Sequence, residues 1–137
     1  MTPEQMDIPD EELLKIARDA MEKAYAPYSR FYVGAAIATD TGHIFTGTNV
    51  ENASYGLTVC AERVAVFKAV SEGHNRIVRA AIVSSSGEIT YPCGACRQVF
   101  NEFSADMSVV MGDKNGKVEK TPLAELLPNS FGPESLT

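Results

Sequence analysis

Three cysteines occur in the chain, in two short segments: Cys60-Ala61-Glu62 and Pro92-Cys93-Gly94-Ala95-Cys96. A Cys-x-x-Cys pair opening a helix can present both sulfurs to one ion. Cys60 also stands at the start of an expected helix, so two helix N-termini can converge on that ion. Their partial positive charge favours thiolate over thiol. Zinc suits such donors and accepts tetrahedral geometry. Three protein ligands leave a fourth position for water, which is the arrangement of a catalytic zinc site. Zinc lowers the pKa of bound water from about 15.7 to about 7, so hydroxide is available at neutral pH.

Glu62 follows Cys60 by two positions and is not needed as a ligand. Its chemistry there is proton transfer: taking a proton from water and delivering protons to a ring nitrogen and a leaving amine. Positions i and i+2 do not face each other on a regular helix, so this pairing requires Cys60 at the very start of its helix. Three thiolates overcompensate a divalent ion. Arg63, one turn after Cys60, and Arg97, directly after Cys96, can each donate to a ligand sulfur; the alternative for both is a surface arginine. His43 and His74 read as exposed turn residues rather than ligands. Other readings of the cysteines are a redox pair, a structural zinc site, which wants a fourth ligand, and three core cysteines without metal.

The 137 residues fit one domain, 1–137, with 45% hydrophobic residues and enough chain for a core. A formal net charge of −6 disfavours nucleic-acid partners, and no run of Lys or Arg offsets it. The acidic stretch Asp10-Glu11-Glu12 reads as a helix N-terminal turn. No apolar segment approaches the roughly 20 residues of a membrane span. The opening MTPEQMDIPDEE does not resemble a secretory signal, so a cytoplasmic location is expected. An odd cysteine count in a reducing compartment argues against a disulfide framework.

The elements that must position these groups follow from periodicity. Leu13, Leu14, Ile16, Ala17, Ala20, Met21 and Ala24 predict a helix from Asp10 to about Ala24, broken by Ala26-Pro27-Tyr28-Ser29. Strands are expected over Phe31 to Thr39 and Ile44 to Asn49, joined at Asp40-Thr41-Gly42. A helix follows from Cys60 to Val70, then a strand buried on both faces from Arg79 to Ser84. Gly94 to Phe103 reads as a helix and Met107 to Met111 as a strand. A short helix, Leu123 to Leu127, has Thr121 as its N-cap and Pro122 at its first position. The remainder reads as tail. This order predicts an α/β protein with a mixed sheet covered by helices on both faces.

The ligand–x–Glu plus Pro-Cys-x-x-Cys pattern is the signature of zinc deaminases acting on nucleobases. The flanking text is more specific: Tyr25-Ala26-Pro27-Tyr28-Ser29, Phe31-Tyr32-Val33-Gly34-Ala35-Ala36, Asn49-Val50-Glu51-Asn52-Ala53, Cys60-Ala61-Glu62-Arg63, Pro92-Cys93-Gly94-Ala95-Cys96-Arg97-Gln98-Val99 and Glu125-Leu126-Leu127-Pro128. From about residue 10 to 135 the chain resembles the short, homotetrameric cytidine deaminases. The resemblance implies a three-layer α/β/α fold and one zinc per subunit on Cys60, Cys93 and Cys96. It implies hydrolytic deamination of cytidine and 2′-deoxycytidine to uridine and 2′-deoxyuridine, with release of ammonia, in pyrimidine salvage. It gives Glu62 the proton work, Asn49 and Glu51 the ribose hydroxyls, Phe31 the pyrimidine pocket and Ala61 a part in substrate binding. Phe131 would be contributed to a neighbouring subunit's site, and Ala53 and Tyr55 would likewise reach a neighbour. The partner is a small-molecule nucleoside, with neither nucleic acid nor membrane. The chain departs from the pattern at Val64, where Thr is commoner, and at Tyr91, where a smaller residue is commoner. Rival substrates for the same chemistry are a free base, a nucleotide, a cytosine-containing antibiotic or a polynucleotide; the rival class is a non-enzymatic zinc-binding module.

Overall fold

A computed structural model of the chain describes residues 8–136. Five strands form one mixed sheet in the order β2-β1-β3-β4-β5: β1 (Val33–Thr39), β2 (Ile44–Thr48), β3 (Ile77–Ser84), β4 (Ser108–Gly112) and β5 (Val118–Pro122). The β3–β4 pair is parallel, and the β1–β2, β1–β3 and β4–β5 pairs are antiparallel. Strand β1 is buried along its whole length and β3 from Ala80 onward, as continuous apolar runs require when both faces are covered.

Helices supply the outer layers. Helix α1 (Asp10–Met21) buries Leu13, Leu14 and Ala17 against Ala36, Ala81, Val83 and Val110 on one face of the sheet. On the other face, α2 (Ala61–Ser71) and α3 (Gly94–Phe103) enclose a larger core with Ala35, Ile37, Ile82, Val109, Met111 and Phe100. Helix α4 (Leu123–Leu126) closes this side through Leu123. The result is the expected three-layer α/β/α arrangement.

Two glycines set the depth of the helices on the sheet. A Cβ at Gly34 would stand 2.1 Å from Ala17 O, and one at Gly47 would stand 2.3 Å from Ala61 O. Only hydrogen fits at either place. The contact at Gly47 matters for the chemistry, because Ala61 opens α2 directly after Cys60.

Three expectations are corrected. Strand β5 was not anticipated: Val118-Glu119-Lys120-Thr121-Pro122 is an edge strand whose residues alternate between exposed and half-buried, so it lacks an apolar run. Its hairpin was signalled, however, by Asn115-Gly116. Asp113 Oδ1 accepts from Asn115 N at 2.8 Å and Lys117 N at 2.9 Å in that turn. Thr121 belongs to β5, and Pro122 occupies the N-cap position of α4 without a side-chain cap. The expected tail carries a 3-10 turn at Pro133–Leu136. Among the described residues no helix is long and apolar enough to cross a membrane.

Candidate active site

Cys60 occupies the N-cap position of α2, and Cys93 that of α3. Cys96 lies in the first turn of α3 and is buried, whereas Cys60 is half-buried and Cys93 exposed. Placing Cys60 outside the first helical turn frees it and Glu62 from the i, i+2 geometry of a regular helix. The sulfurs of Cys60 and Cys93 are 3.8 Å apart and those of Cys93 and Cys96 are 3.5 Å apart. All three lie within 4.8 Å of one another. A tetrahedral zinc with Zn–S of about 2.3 Å places its sulfurs about 3.8 Å apart, so the donor set has the size of one zinc site.

The ionisation of Cys60 and Cys96 points the same way. The thiol of Cys96, and then the Arg63 guanidinium, hydrogen-bond Cys60 and hold it down at about 5. Cys96 is pushed far above the ordinary thiol range, first by its bond to Cys60 and then by burial and the Glu62 carboxylate. Three sulfurs this close cannot all ionise without a cation among them, and thiolate is what zinc requires.

The two arginines differ. Arg63 Nη2 donates to Cys60 Sγ at 3.4 Å, while its Nε is buried with no hydrogen-bond partner among the described residues. Arg97 is directed elsewhere: Nε donates to Pro92 O at 2.7 Å and Nη1 to Leu126 O at 2.8 Å. It ties the loop before Cys93 to the end of α4 and makes no bond to sulfur, which corrects the expectation for that residue.

Glu62 is 5% exposed. Burial in this apolar surrounding pushes its carboxyl up to about 7, so the group can hold or release a proton near neutrality. A cavity of about 240 Å³ opens beside it, and its lining includes Phe31, Asn49, Glu51, Cys60, Tyr91 and Cys93 as well as Glu62. The cavity therefore brings two of the three cysteines, one buried acid and a half-exposed aromatic ring together.

Asn49 and Glu51 reach this cavity but are already engaged. Asn49 accepts from Val33 N at 2.9 Å and donates Nδ2–H to Phe31 O at 2.7 Å. Glu51 Oε1 accepts from Tyr28 N at 3.0 Å and Ser29 N at 3.1 Å, and the Ser29 hydroxyl donates to Oε2. The Ser29 bond, ahead of the two backbone amides, holds the carboxyl of Glu51 below its ordinary range. Together the two side chains fasten the segment from Tyr28 to Val33 and so place Phe31 at the cavity wall. Sequence reading missed this bracing role and the part of Ser29; the Tyr25–Ser29 motif was its only signal.

Phe131, Ala53 and Tyr55 do not line this cavity. Phe131 is 63% exposed, with its carbonyl held by Gln98 Nε2 at 2.7 Å and Asn101 Nδ2 at 3.3 Å. Tyr55 is 80% exposed and borders an adjoining depression with Tyr28, Ser29 and Glu51. His43 and His74 pack ring to ring at a centroid distance of 4.2 Å and share Thr41 Oγ1.

A three-cysteine centre at two helix N-termini, beside a buried acid and an open cavity, defines a zinc enzyme that works on water. The model of the cytidine and deoxycytidylate deaminase zinc-binding region matches residues 7–112, and the chain belongs to that family. It is 49% identical over 125 residues to the cytidine deaminase of Halalkalibacterium halodurans, covering 90% of this chain and 95% of that protein. It is 44% identical to the cytidine deaminase of Sporosarcina psychrophila, covering 96% of each. The crystal structure of cytidine deaminase from Burkholderia pseudomallei superposes with a TM-score of 0.87 at 45% identity, covering 90% of this chain and all of that one. The zinc-binding region and the Cys60, Cys93 and Cys96 cluster fit one zinc ion per chain.

Proposed function

We propose that this chain hydrolyses cytidine and 2′-deoxycytidine to uridine and 2′-deoxyuridine, releasing ammonia, as a cytoplasmic enzyme of pyrimidine salvage. The observation that carries this reading is the buried Glu62 carboxyl in a cavity lined also by Cys60 and Cys93, two members of the three-sulfur cluster. Zinc bound by Cys60, Cys93 and Cys96 supplies hydroxide near neutral pH by lowering the pKa of water.

Glu62 takes the proton released by the attacking water and passes it to N3 of the pyrimidine as oxygen adds to C4. It then moves the hydroxyl proton to the exocyclic amine, the C4–N bond breaks, and ammonia leaves. The sum is one water consumed and one ammonia released. Arg63 draws charge from the Cys60 sulfur and keeps the anionic ligand set from cancelling the ion's pull on electrons. Phe31 and Ala61 border the space for the base.

Asn49 Nδ2 carries a second proton, and the Glu51 carboxylate retains lone pairs beyond those used by Tyr28 and Ser29. Both keep capacity for ribose hydroxyls. A carboxylate at that end repels a phosphate, which favours a nucleoside over a nucleotide, and the net charge of −6 disfavours a polynucleotide. The exposed Tyr28, Tyr55, Leu57 and Phe131 support a homotetramer in which Phe131, Ala53 and Tyr55 meet neighbouring copies.

The test is ultraviolet absorbance with zinc-loaded protein offered cytidine, cytosine, CMP and an oligonucleotide in parallel. Rapid loss on cytidine with stoichiometric ammonia is expected. Faster turnover of cytosine, CMP or the oligonucleotide contradicts the reading.

A further inference from the structure

Tyr91 lines the cavity together with Phe31 and Glu62 and is a residue that the chemistry described above does not use. Its position is fixed through three different elements. The hydroxyl of Thr90, the residue before it, pairs with Ser84 Oγ at 2.6 Å at the buried end of β3. The carbonyl of Pro92, the residue after it, is held by Arg97 of α3 at 2.7 Å. Its own Oη donates to Glu119 Oε2 on β5 at 2.6 Å, a short charge-assisted bond. An aromatic side chain with two torsions, tied at its far end and at both flanking residues, is a rigid wall rather than a mobile surface group. Yet the ring is 46% exposed, so it contributes little to the core.

The chemistry of the base indicates what this wall meets. C4 of the pyrimidine has two ring neighbours, N3 and C5. Glu62, on α2, serves N3. The C5 edge then points away from Glu62 and meets other parts of the lining, among which Thr90, Tyr91 and Cys93 precede α3. We propose that Tyr91, positioned by Glu119, is a specificity-determining residue that limits the size of substituents on C5 of the pyrimidine. This rests on the reading of the enzyme as a cytosine nucleoside deaminase.

The measurement is kcat/KM for 5-methylcytidine relative to cytidine, on holoenzyme of verified zinc content. Tyr91→Ser removes the wall and is expected to raise this ratio by about tenfold or more, since one methylene against a fitted pocket is worth about 10–200-fold. Glu119→Ala leaves every lining residue in place and only releases the ring; the ratio should rise several-fold there too. Tyr91→Phe, which keeps the ring and loses the bond, should match Glu119→Ala. A purely structural role for Tyr91 would lower stability and turnover of both substrates alike and leave the ratio where it was. A ratio within about twofold of wild type in both Tyr91→Ser and Glu119→Ala, with cytidine still consumed, overturns the proposal. Failure of the wild-type holoenzyme to consume cytidine overturns the functional reading itself, and the proposal with it.

Discussion

The sulfurs of Cys60 and Cys93 stand 3.8 Å apart although 33 positions separate them in the chain. Each occupies the N-cap position of a different helix, and the two helices are packed on the same face of the sheet. The metal site is thus a joint between α2 and α3. Replacing buried Cys96 with Ala should lower bound zinc from about one per chain to a small fraction, and turnover with it. Chelation of the wild type should lower its melting temperature as well as its activity. Elemental analysis and calorimetry check both. Full zinc retention in Cys96→Ala would rule out the three-sulfur site.

Arg63 and Arg97 should fail differently. Arg63→Gln removes a donor from the Cys60 sulfur and is expected to cut turnover about 10–100-fold with zinc retained. Arg97→Gln removes two bonds to carbonyls and is expected to cost about 1–3 kcal/mol of stability. Paired kinetics and urea unfolding distinguish them; the opposite pattern would reverse the roles assigned to the two guanidinium groups.

Gly47→Ala should damage the site from a distance. The added methyl meets Ala61 O at 2.3 Å, so α2 must shift and carry Cys60 and Glu62 with it. A cost of about 1–3 kcal/mol is expected, together with weakened zinc binding. Unchanged unfolding and zinc affinity would mean that β2 and α2 separate freely.

Asp10 links α1 to β3 and β5 by ion pairs with Arg79 at 2.8 Å and Lys120 at 3.0 Å. Partial burial acts to raise its pKa, but the hydrogen bonds from Arg79 and Lys120 outweigh it, and the carboxyl titrates below its ordinary range. A depressed folded-state pKa contributes stability above the unfolded value, and this contribution is lost as pH falls through the folded value. Asp10→Asn should therefore cost about 1 kcal/mol near pH 7. The gap from wild type should close between roughly pH 5 and pH 2. Urea unfolding across that range is the check; a gap that stays constant with pH would exclude an ionic origin.

Much of this arrangement was legible in the sequence. The cysteine spacing, with Glu62 between its two parts, encodes ligands and acid directly in covalent order, and the apolar runs at 33–39 and 80–84 announce buried strands. Less legible was whatever depends on where a side chain turns after packing. Arg63 and Arg97 follow their cysteines in equally suggestive positions, yet only the first reaches sulfur, because α4 offers Arg97 the Leu126 carbonyl. Strand β5 hid because an edge strand needs little apolar surface. Asn49 and Glu51 read as ribose ligands or turn residues, but their intramolecular bonds to residues 28–33 appear only once β1 and β2 are paired. The latch from Tyr91 to Glu119 joins elements whose adjacency no local pattern foretells.

The most direct test of the central claim is the rate of cytidine absorbance loss in Glu62→Gln against wild type, with zinc content measured in both. The buried acid, replaced by an isosteric amide, should lose at least about 10²-fold in turnover while zinc remains bound. A loss below about tenfold in the zinc-loaded variant would contradict proton transfer by Glu62 and the mechanism built on it.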